Sequence, residues 1–151
     1  GAGPFLCGTE PGPTGAARPV IISRDGSVGG TETDLGGGCR WAAGEYWATS
    51  RAVVSPTHHV WEPLAPSGVL IGLMNGVSNR GSVVMNGVSA DGGRRVSFVL
   101  AEGLPTQALN DDQNGSNGIR GFMSPSGRVV GMDDGRRVLV WESPDRVARS
   151  L

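Results

Sequence analysis

Nearly the same phrase occurs three times in this chain, at residues 22–30 (ISRDGSVGG), 77–85 (VSNRGSVVM) and 123–131 (MSPSGRVVG). Each copy contains a Ser, turn-forming residues with a Gly, one polar residue and then Val. A second phrase, Gly-Arg-Arg-Val followed by strand-forming residues, begins at Gly93 and again at Gly135. Self-similarity at spacings of tens of residues is typical of repeat architectures. The repeats predict a scaffold of strands and turns, which rarely carries a single catalytic constellation.

Composition favours an all-β fold with many tight turns. Gly accounts for 26 of the 151 residues, whereas typical domains contain about 7% Gly. Each interior Gly destabilises a helix by about 1 kcal/mol relative to Ala. Turn residues at 91–93 and 133–135 lie between apolar segments and predict two similar β-hairpins. Residues 40–51 are interpreted as a strand pair around Gly44, and a short helix is the alternative, which the central Gly disfavours.

Charge argues against two classes of partner. The formal net charge is −1, the signs are interspersed, and all 13 basic residues are Arg. Nucleic acids and anionic membranes attract a basic patch or stripe, which is missing from this sequence. No apolar run approaches the roughly 18 residues of a membrane-spanning helix. We therefore expect neither a nucleic acid nor a membrane as partner.

The two cysteines, Cys7 and Cys39, fit neither a zinc pattern nor a C-x-x-C redox pair. In an exported protein they would form a disulfide that attaches the N-terminal segment to the folded body. Two unpaired thiols in a cytosolic protein are the alternative. We predict the disulfide and an extracellular location.

Composition and the repeats divide the chain into three predicted segments. Residues 1–19, with four Pro and five Gly, are expected to form a flexible N-terminal extension. Residues 20–142 are expected to form a β-repeat domain, and residues 143–151 a C-terminal tail. In the extension, Pro4, Phe5 and Leu6 supply an apolar anchor that could dock on a partner protein as an added strand.

The segment from Ser97 to Gly131 resembles the extracellular repeats often called HAF repeats. An apolar strand with a Gly turn (98–104), a polar loop (109–118) and a segment ending in Val-Val-Gly (123–131) follow in the family's order. The Asn that precedes the turn in the family is Ser in all three copies. The aromatic residue near which the family's apolar strand ends is kept here only at Trp141. The resemblance implies β-propeller blades like those of secreted bacterial proteins.

Counting the repeats limits that architecture. A blade needs about 40–45 residues and a closed ring at least four blades, so the chain holds about three blade-like antiparallel meanders. Two alternatives follow: an incomplete propeller that assembles with another subunit, or a compact barrel or sandwich. Both favour a protein that binds proteins.

None of the candidate catalytic groups matches the residue pattern of a known kind of active site well. His58 and His59 would point to opposite faces of a strand and would not readily share a metal. The Asp pairs at 111–112 and 133–134 are better explained as turns than as calcium loops. No Gly-x-Ser-x-Gly nucleophile motif occurs. We predict no enzymatic activity and no cofactor, with a metal-dependent enzyme at His58 and His59 as the weakest alternative.

An aromatic cluster is the remaining candidate site: Trp41, Tyr46, Trp47 and Trp61 lie within about 20 residues. These side chains could fill the core, form a protein-binding surface or stack on a glycan. We assign them, with Pro4, Phe5 and Leu6, to protein binding. The resulting interpretation is a non-catalytic secreted adaptor that connects other proteins in an extracellular assembly, such as a bacterial toxin particle. The alternative is a lectin-like module that uses the Trp41–Trp61 cluster.

Overall fold

The computed structural model describes residues 6–22, 25–30, 35, 37–109, 119–142 and 149–150. Within these ranges the regular elements are fifteen β-strands in four antiparallel sheets, with no helix. The predicted all-β fold is therefore confirmed. This part of the chain accordingly holds no helix of the length and apolar character that crossing a membrane requires.

Sheets I and II come from the first half of the chain, and in both sheets each strand pairs with the next one in sequence. Sheet I consists of β1 (Leu6–Pro11), β2 (Ala17–Ile22) and β3 (Val28–Gly30). Sheet II consists of β4 (Trp41–Ala43), β5 (Tyr46–Ala48), β6 (Val53–Val54) and β7 (Val60–Trp61). The strand pair predicted around Gly44 is the β4–β5 hairpin.

Sheets III and IV repeat this meander. Sheet III consists of β8 (Val69–Val77), β9 (Val83–Ser89), β10 (Arg95–Leu100) and β11 (Gln107–Ala108). Sheet IV consists of β12 (Arg120–Met123), β13 (Val129–Met132), β14 (Val138–Trp141) and β15 (Arg149–Ser150). The two predicted hairpins are confirmed, since β9 pairs with β10 and β13 pairs with β14.

The second and third copies of the repeated phrase form the same hairpin turn. The Ser78 N–H donates to the Ser82 carbonyl at 2.8 Å, and the Gly81 N–H donates back to the Ser78 carbonyl at 3.0 Å. Ser124 and Gly127 make the equivalent turn. The two glycines have φ of 81° and 87°, so each turn is a type I turn closed by a left-handed residue. Gly is suited to this position because it has no Cβ.

Three further loops adopt the same hydrogen-bonding pattern, at residues 12–16, 55–59 and 133–137. Their left-handed residues are Gly15, His58 and Arg136, with φ of 84°, 65° and 61°. His58 and Arg136 occupy the position that Gly holds in the repeated phrase. A search for the Gly-containing phrase therefore misses these two turns.

Each sheet packs on the next, which produces three apolar cores. Side chains alternate across a strand, so β9 directs Val83 and Met85 towards sheet II and Val84 towards sheet IV. The core between sheets I and II contains Trp47, and the core between sheets III and IV contains Trp141. Among the described residues, sheets II and III are thus covered on both faces, whereas sheets I and IV are covered on one.

The first strands of the sheets lie side by side, because β1 contacts β4, β4 contacts β8, and β8 contacts β12. None of the four described sheets closes into a barrel. Repeat counting predicts about three meanders, but the structure contains four. The three phrase copies lie in sheets I, III and IV, and sheet II, whose β4–β5 hairpin was predicted, contains no copy of the phrase.

The chain termini differ from the predicted segment boundaries. Residues 1–19 are predicted as a flexible extension, but from Leu6 onward they form β1 and the start of β2. Gly8 pairs with Val20 and Cys7 with Ile21 across that boundary. Ladder hydrogen bonds, which composition does not reveal, order this segment. In the predicted tail, Arg149–Ser150 pair with β14, and residues 143–148 and 151 lie outside the described residues.

The predicted disulfide is confirmed. Cys7 and Cys39 are bonded, with their Cα atoms 5.5 Å apart. The Cys39 N–H also donates to the Gly8 carbonyl at 3.2 Å. The bridge joins β1 to the segment that precedes β4, and it therefore ties sheet I to sheet II.

Candidate functional site

The four aromatic residues do not form one surface. Trp47 is only 6% exposed and lies in the core between sheets I and II. Trp41, Tyr46 and Trp61 are partly buried against the core between sheets II and III. Tyr46 and Trp47 are neighbours on β5, so alternation sends them to opposite faces of sheet II. The assignment of Trp47 to a binding surface is corrected: its side chain is a core residue.

The apolar anchor predicted at the N-terminus is only partly described. Pro4 and Phe5 lie outside the described residues. Leu6 begins β1 and pairs with Ile22. A strand donated to a neighbour would have to extend from β1, which is already paired with β2.

Tyr46 and Trp61 line a groove of about 400 Å³ between sheets II and III, which we call the aromatic groove. Its polar groups include Arg80 and a pair formed by His59 and Glu102, with Nε2 and Oε1 2.7 Å apart. The aromatic groove lies at the end of the sheets where the repeated turn 78–82 is located. Two half-buried rings beside polar side chains form a surface on which a sugar ring could stack.

The histidines are not arranged as a metal centre. His59 faces Glu102, whereas His58 is the left-handed residue of turn 55–59. Glu62 instead pairs with Arg51, with Oε1 and Nε 3.1 Å apart. No group of three or more His, Cys, Asp or Glu side chains in the described ranges is arranged to hold a metal ion.

The acidic turn at 133–134 has a structural role. The Asp133 carboxylate accepts the Arg137 backbone N–H at 2.9 Å and the Arg137 Nε–H at 2.8 Å. These contacts, the backbone hydrogen bond foremost, lower the pKa of Asp133 below its ordinary value. Asp133 thus closes its turn, as predicted. The other acidic pair, Asp111 and Asp112, lies outside the described residues.

Sheet IV leaves an apolar face uncovered. Phe122 pairs with Val130, and Met132 pairs with Val138, so these side chains form adjacent cross-strand rows. The four side chains are 39–48% exposed. The opposite face of the same strands is fully packed, with Met123, Val129, Leu139 and Trp141 each at most 1% exposed. We call the four exposed residues the outer face of sheet IV.

Sheet I, at the other end of the stack, resembles sheet IV in this respect. Ile22 and Val28 pair across β2 and β3 and are both exposed, Val28 by 69%. Arg18 and Glu10 form an ion pair at the other end of the β1–β2 ladder, next to turn 12–16. Both sheets that have a neighbour on one side only thus expose paired apolar side chains, and β8 of sheet III also exposes Leu70, Ile71 and Leu73.

A second groove, of about 450 Å³, lies at the end of the sheets where the first strands begin. It is lined by three arginines: Arg95 begins β10, Arg120 begins β12, and Arg40 immediately precedes β4. Trp41 and Leu73 supply part of its apolar wall. No Asp or Glu is among the described residues that line it. We call it the arginine groove.

Sequence reasoning missed this groove because its three arginines are 25 residues or more apart along the chain. Only the packing of sheets II, III and IV brings them together. A clue to that packing was available: the pentapeptide Met-Asn-Gly-Val-Ser occurs at both 74–78 and 85–89. Its two Asn side chains, Asn75 and Asn86, each donate to the Gly121 carbonyl of β12 at 2.9 Å. The repeated Asn therefore connects sheet III to sheet IV.

Comparison of the chain with protein-family models, with curated proteins and with solved structures finds no match.

Proposed function

We propose that this protein is a non-catalytic, secreted adaptor that connects other proteins in an extracellular assembly, such as a bacterial toxin particle. The outer face of sheet IV is the observation that supports the proposal most strongly. Exposed hydrophobic residues scattered singly are ordinary, but contiguous rows indicate an interaction surface. Phe122, Val130, Met132 and Val138 form such rows.

The chemistry of this face favours a β-sheet as its occupant. Each internal interface of the protein is formed by alternating apolar side chains from two sheets, as Val83 and Met85 do between sheets III and II. The outer face of sheet IV has the same alternation and the same residue types. We therefore expect a partner protein that presents an apolar sheet face, packed about 10 Å away as stacked sheets are.

The energy available on sheet IV alone is modest. Full burial of a large apolar side chain is worth about 1.5–3 kcal/mol, and these four are already half buried. Completing their burial would contribute roughly 4 kcal/mol, whereas micromolar binding requires about 8 kcal/mol. We therefore expect the assembly to cover Ile22 and Val28 of sheet I as well, which would make the protein a connector with two ends.

The Cys7–Cys39 disulfide supports the extracellular part of the proposal. Structural disulfides persist in oxidising compartments and are rare where glutathione keeps thiols reduced. A protein that joins subunits outside the cell also benefits from the covalent link between sheets I and II, because a pull on sheet I is then carried to sheet II.

Site-specific photo-crosslinking tests the proposal. We would place a benzophenone side chain at position 130 or 132, add the protein to the secreted proteins of its source, and identify the crosslinked species by mass spectrometry. The matched control places the same group at Leu64, which is exposed by 79% but lies outside both terminal sheets. We expect one defined protein crosslinked from 130 and 132 and not from 64.

A second measurement tests specificity. Met132→Lys should abolish that crosslink from position 130, whereas Leu64→Lys should preserve it, with both variants folded by circular dichroism. If positions 64, 130 and 132 capture the same scattered set of proteins, or none, and the protein remains a monomer by light scattering with its secretome present, the adaptor proposal is wrong.

The aromatic groove supports glycan binding as a second candidate function. Tyr46 and Trp61 offer partly buried rings, and Arg80, His59 and Glu102 offer hydrogen-bonding groups. A glycan array with Trp61→Ala as the negative control tests this. Trp47→Ala is unsuitable, because removing a core Trp destabilises the fold. Wild-type binding that Trp61→Ala loses supports a lectin, and an array without signal contradicts it.

A further inference from the structure

We infer that the arginine groove binds an acidic peptide segment of a partner protein. The inference rests on the proposed function, because it names the chemistry of part of the partner. The groove, of about 450 Å³, is lined by Arg40, Arg95 and Arg120, and the part of the chain that the structure describes adds no acidic side chain to its lining. In a chain with a net charge of −1, this local excess of positive charge is a specific feature of the tertiary structure.

The three arginines are available for a ligand. In the part of the chain that the structure describes, Arg18, Arg51, Arg128 and Arg137 form ion pairs with carboxylates. Arg40, Arg95 and Arg120 form none there and are all exposed. A guanidinium presents several N–H donors in a planar fork that matches a carboxylate. Three such forks around one groove would bind several carboxylates at once.

The groove also has an apolar side. Ile71 and Leu73 are exposed by 72% and 62% and line the groove with the partly buried Trp41. Ile71 has a φ of 52° and lies where the register between β8 and β9 shifts. A β-branched residue rarely adopts this conformation, and such strained positions concentrate at functional sites. The ligand is therefore expected to combine carboxylates with an aliphatic or aromatic side chain.

A peptide segment is the occupant that we expect, rather than a free small molecule. The three arginines and the exposed side chains of Ile71 and Leu73 offer several separate charged and apolar contacts in one groove. A peptide segment can bind with one side in solvent, since its own protein holds it in place. Arg120 connects the two surfaces: it lines the groove, and it pairs with Met132 of the outer face of sheet IV. A partner that covers sheet IV can therefore reach the groove.

Fluorescence anisotropy tests the inference. The probe is a fluorescein-labelled peptide of about ten residues, spanning about 33 Å when extended, with Glu pairs on both sides of a central Leu-Phe. The matched peptide has Gln at every Glu position. We expect binding of the Glu peptide that weakens with added salt, and at least tenfold weaker binding of the Gln peptide, because charge-assisted hydrogen bonds are the stronger ones.

Protein variants locate the site. The triple variant Arg40→Gln, Arg95→Gln, Arg120→Gln should weaken binding of the Glu peptide at least tenfold, and Leu73→Ala should weaken it about threefold. The charge-matched control is Arg51→Gln, Arg128→Gln, Arg136→Gln, which changes the net charge equally outside the groove and should leave binding unchanged. Thermal unfolding establishes that each variant is folded.

Three results would overturn the inference. The first is equal binding of the Glu and Gln peptides, and the second is equal weakening of binding by the two triple variants. The third is displacement of the peptide by millimolar glutamate or inorganic phosphate, which would indicate a site for small anions.

Failure of the groove inference is distinguishable from failure of the adaptor proposal. If the partner crosslinks at position 130 equally in wild type and in the groove variant, only the groove inference is wrong. If the peptide binds but nothing crosslinks, only the adaptor proposal is wrong.

Discussion

The backbone N–H of Asn79 donates a 2.7 Å hydrogen bond to the carbonyl of Pro125. The two residues occupy the same position in the second and third copies of the repeated phrase, one residue after the Ser. The bond therefore joins equivalent turns of sheets III and IV. On the other side, a Cβ added to Gly44 in the β4–β5 turn would lie 3.0 Å from the Asn79 side chain. The first turns of sheets II, III and IV thus contact one another along one end of the molecule.

Substitution at the left-handed residues of the hairpin turns should change the stability of the protein in opposite directions, depending on whether Gly is introduced or removed. His58→Gly and Arg136→Gly should each raise the free energy of unfolding by about 1 kcal/mol, because a left-handed conformation is strained for a residue with a Cβ. Gly127→Ala should lower it by a similar amount, measured by urea denaturation. A destabilising His58→Gly would show that its side chain makes a contact more important than the backbone strain.

Gly81→Ala should cost more than Gly127→Ala. Both glycines are left-handed, but a Cβ on Gly81 would lie 2.6 Å from the Tyr46 ring, whereas the nearest atom to a Cβ on Gly127 is 4.0 Å away. The difference in unfolding free energy between the two variants measures the packing of Tyr46 on the turn. An equal loss of unfolding free energy in the two variants would mean that the Tyr46 ring moves away from the new Cβ without cost.

Removing the Asn86 side chain should destabilise the protein by about 2–3 kcal/mol. Its amide donates to the Gly121 carbonyl and accepts the Gly121 N–H, both at 2.9 Å, and Ser97 Oγ lies 2.5 Å from Asn86 Oδ1. Asn86→Ala leaves these groups without that partner at a partly buried site. Asn75→Ala is the control: it removes one of two donors to the Gly121 carbonyl and should cost about 1 kcal/mol. Equal losses would contradict a special role for Asn86.

Reduction of the disulfide should destabilise sheet I. The bond closes a loop with a sequence separation of 32, for which chain entropy predicts a stabilisation of about 4 kcal/mol. Denaturation with and without reductant measures this loss, and intact mass establishes the gain of two hydrogens. The Cys7→Ser, Cys39→Ser double variant should match the reduced protein. Unchanged stability would mean that ladder pairing alone holds β1.

Acid should destabilise the turn at Asp133. Hydrogen bonds from Arg137 lower the pKa of this carboxyl in the folded protein, while the unfolded value is about 3.9. The resulting stabilisation is complete above about pH 4 and is lost as the pH falls through the lower, folded pKa. Melting temperatures between neutral pH and acid should show a smaller decrease for Asp133→Asn than for wild type. Asp134→Asn is the charge-matched control, and a decrease identical in all three proteins would contradict the prediction.

Local chemistry in the sequence determined much of the fold. Alternating apolar residues and Gly, Ser and Asp turns predicted the β9–β10 and β13–β14 hairpins, and the two cysteines predicted the disulfide, because strands and turns depend on neighbouring residues. Sheet II was harder to recognise as a meander of its own, since it contains no copy of the repeated phrase. The strand character of residues 6–11 depends on pairing with β2, and composition alone suggested an extension.

Only the tertiary structure decided where the candidate sites lie. The alternation along β5 buries Trp47 and leaves Tyr46 at a groove, and the sequence does not state which face of a strand will find a neighbour. Phe122 and Val130 are exposed because sheet IV is last in the stack, whereas the similar Val84 and Val99 are buried because sheet III has neighbours on both sides. The arginine groove likewise depends on distant residues that meet only when sheets II, III and IV pack. Burial and proximity are properties of the assembled stack, and a repeat read along the chain does not contain them.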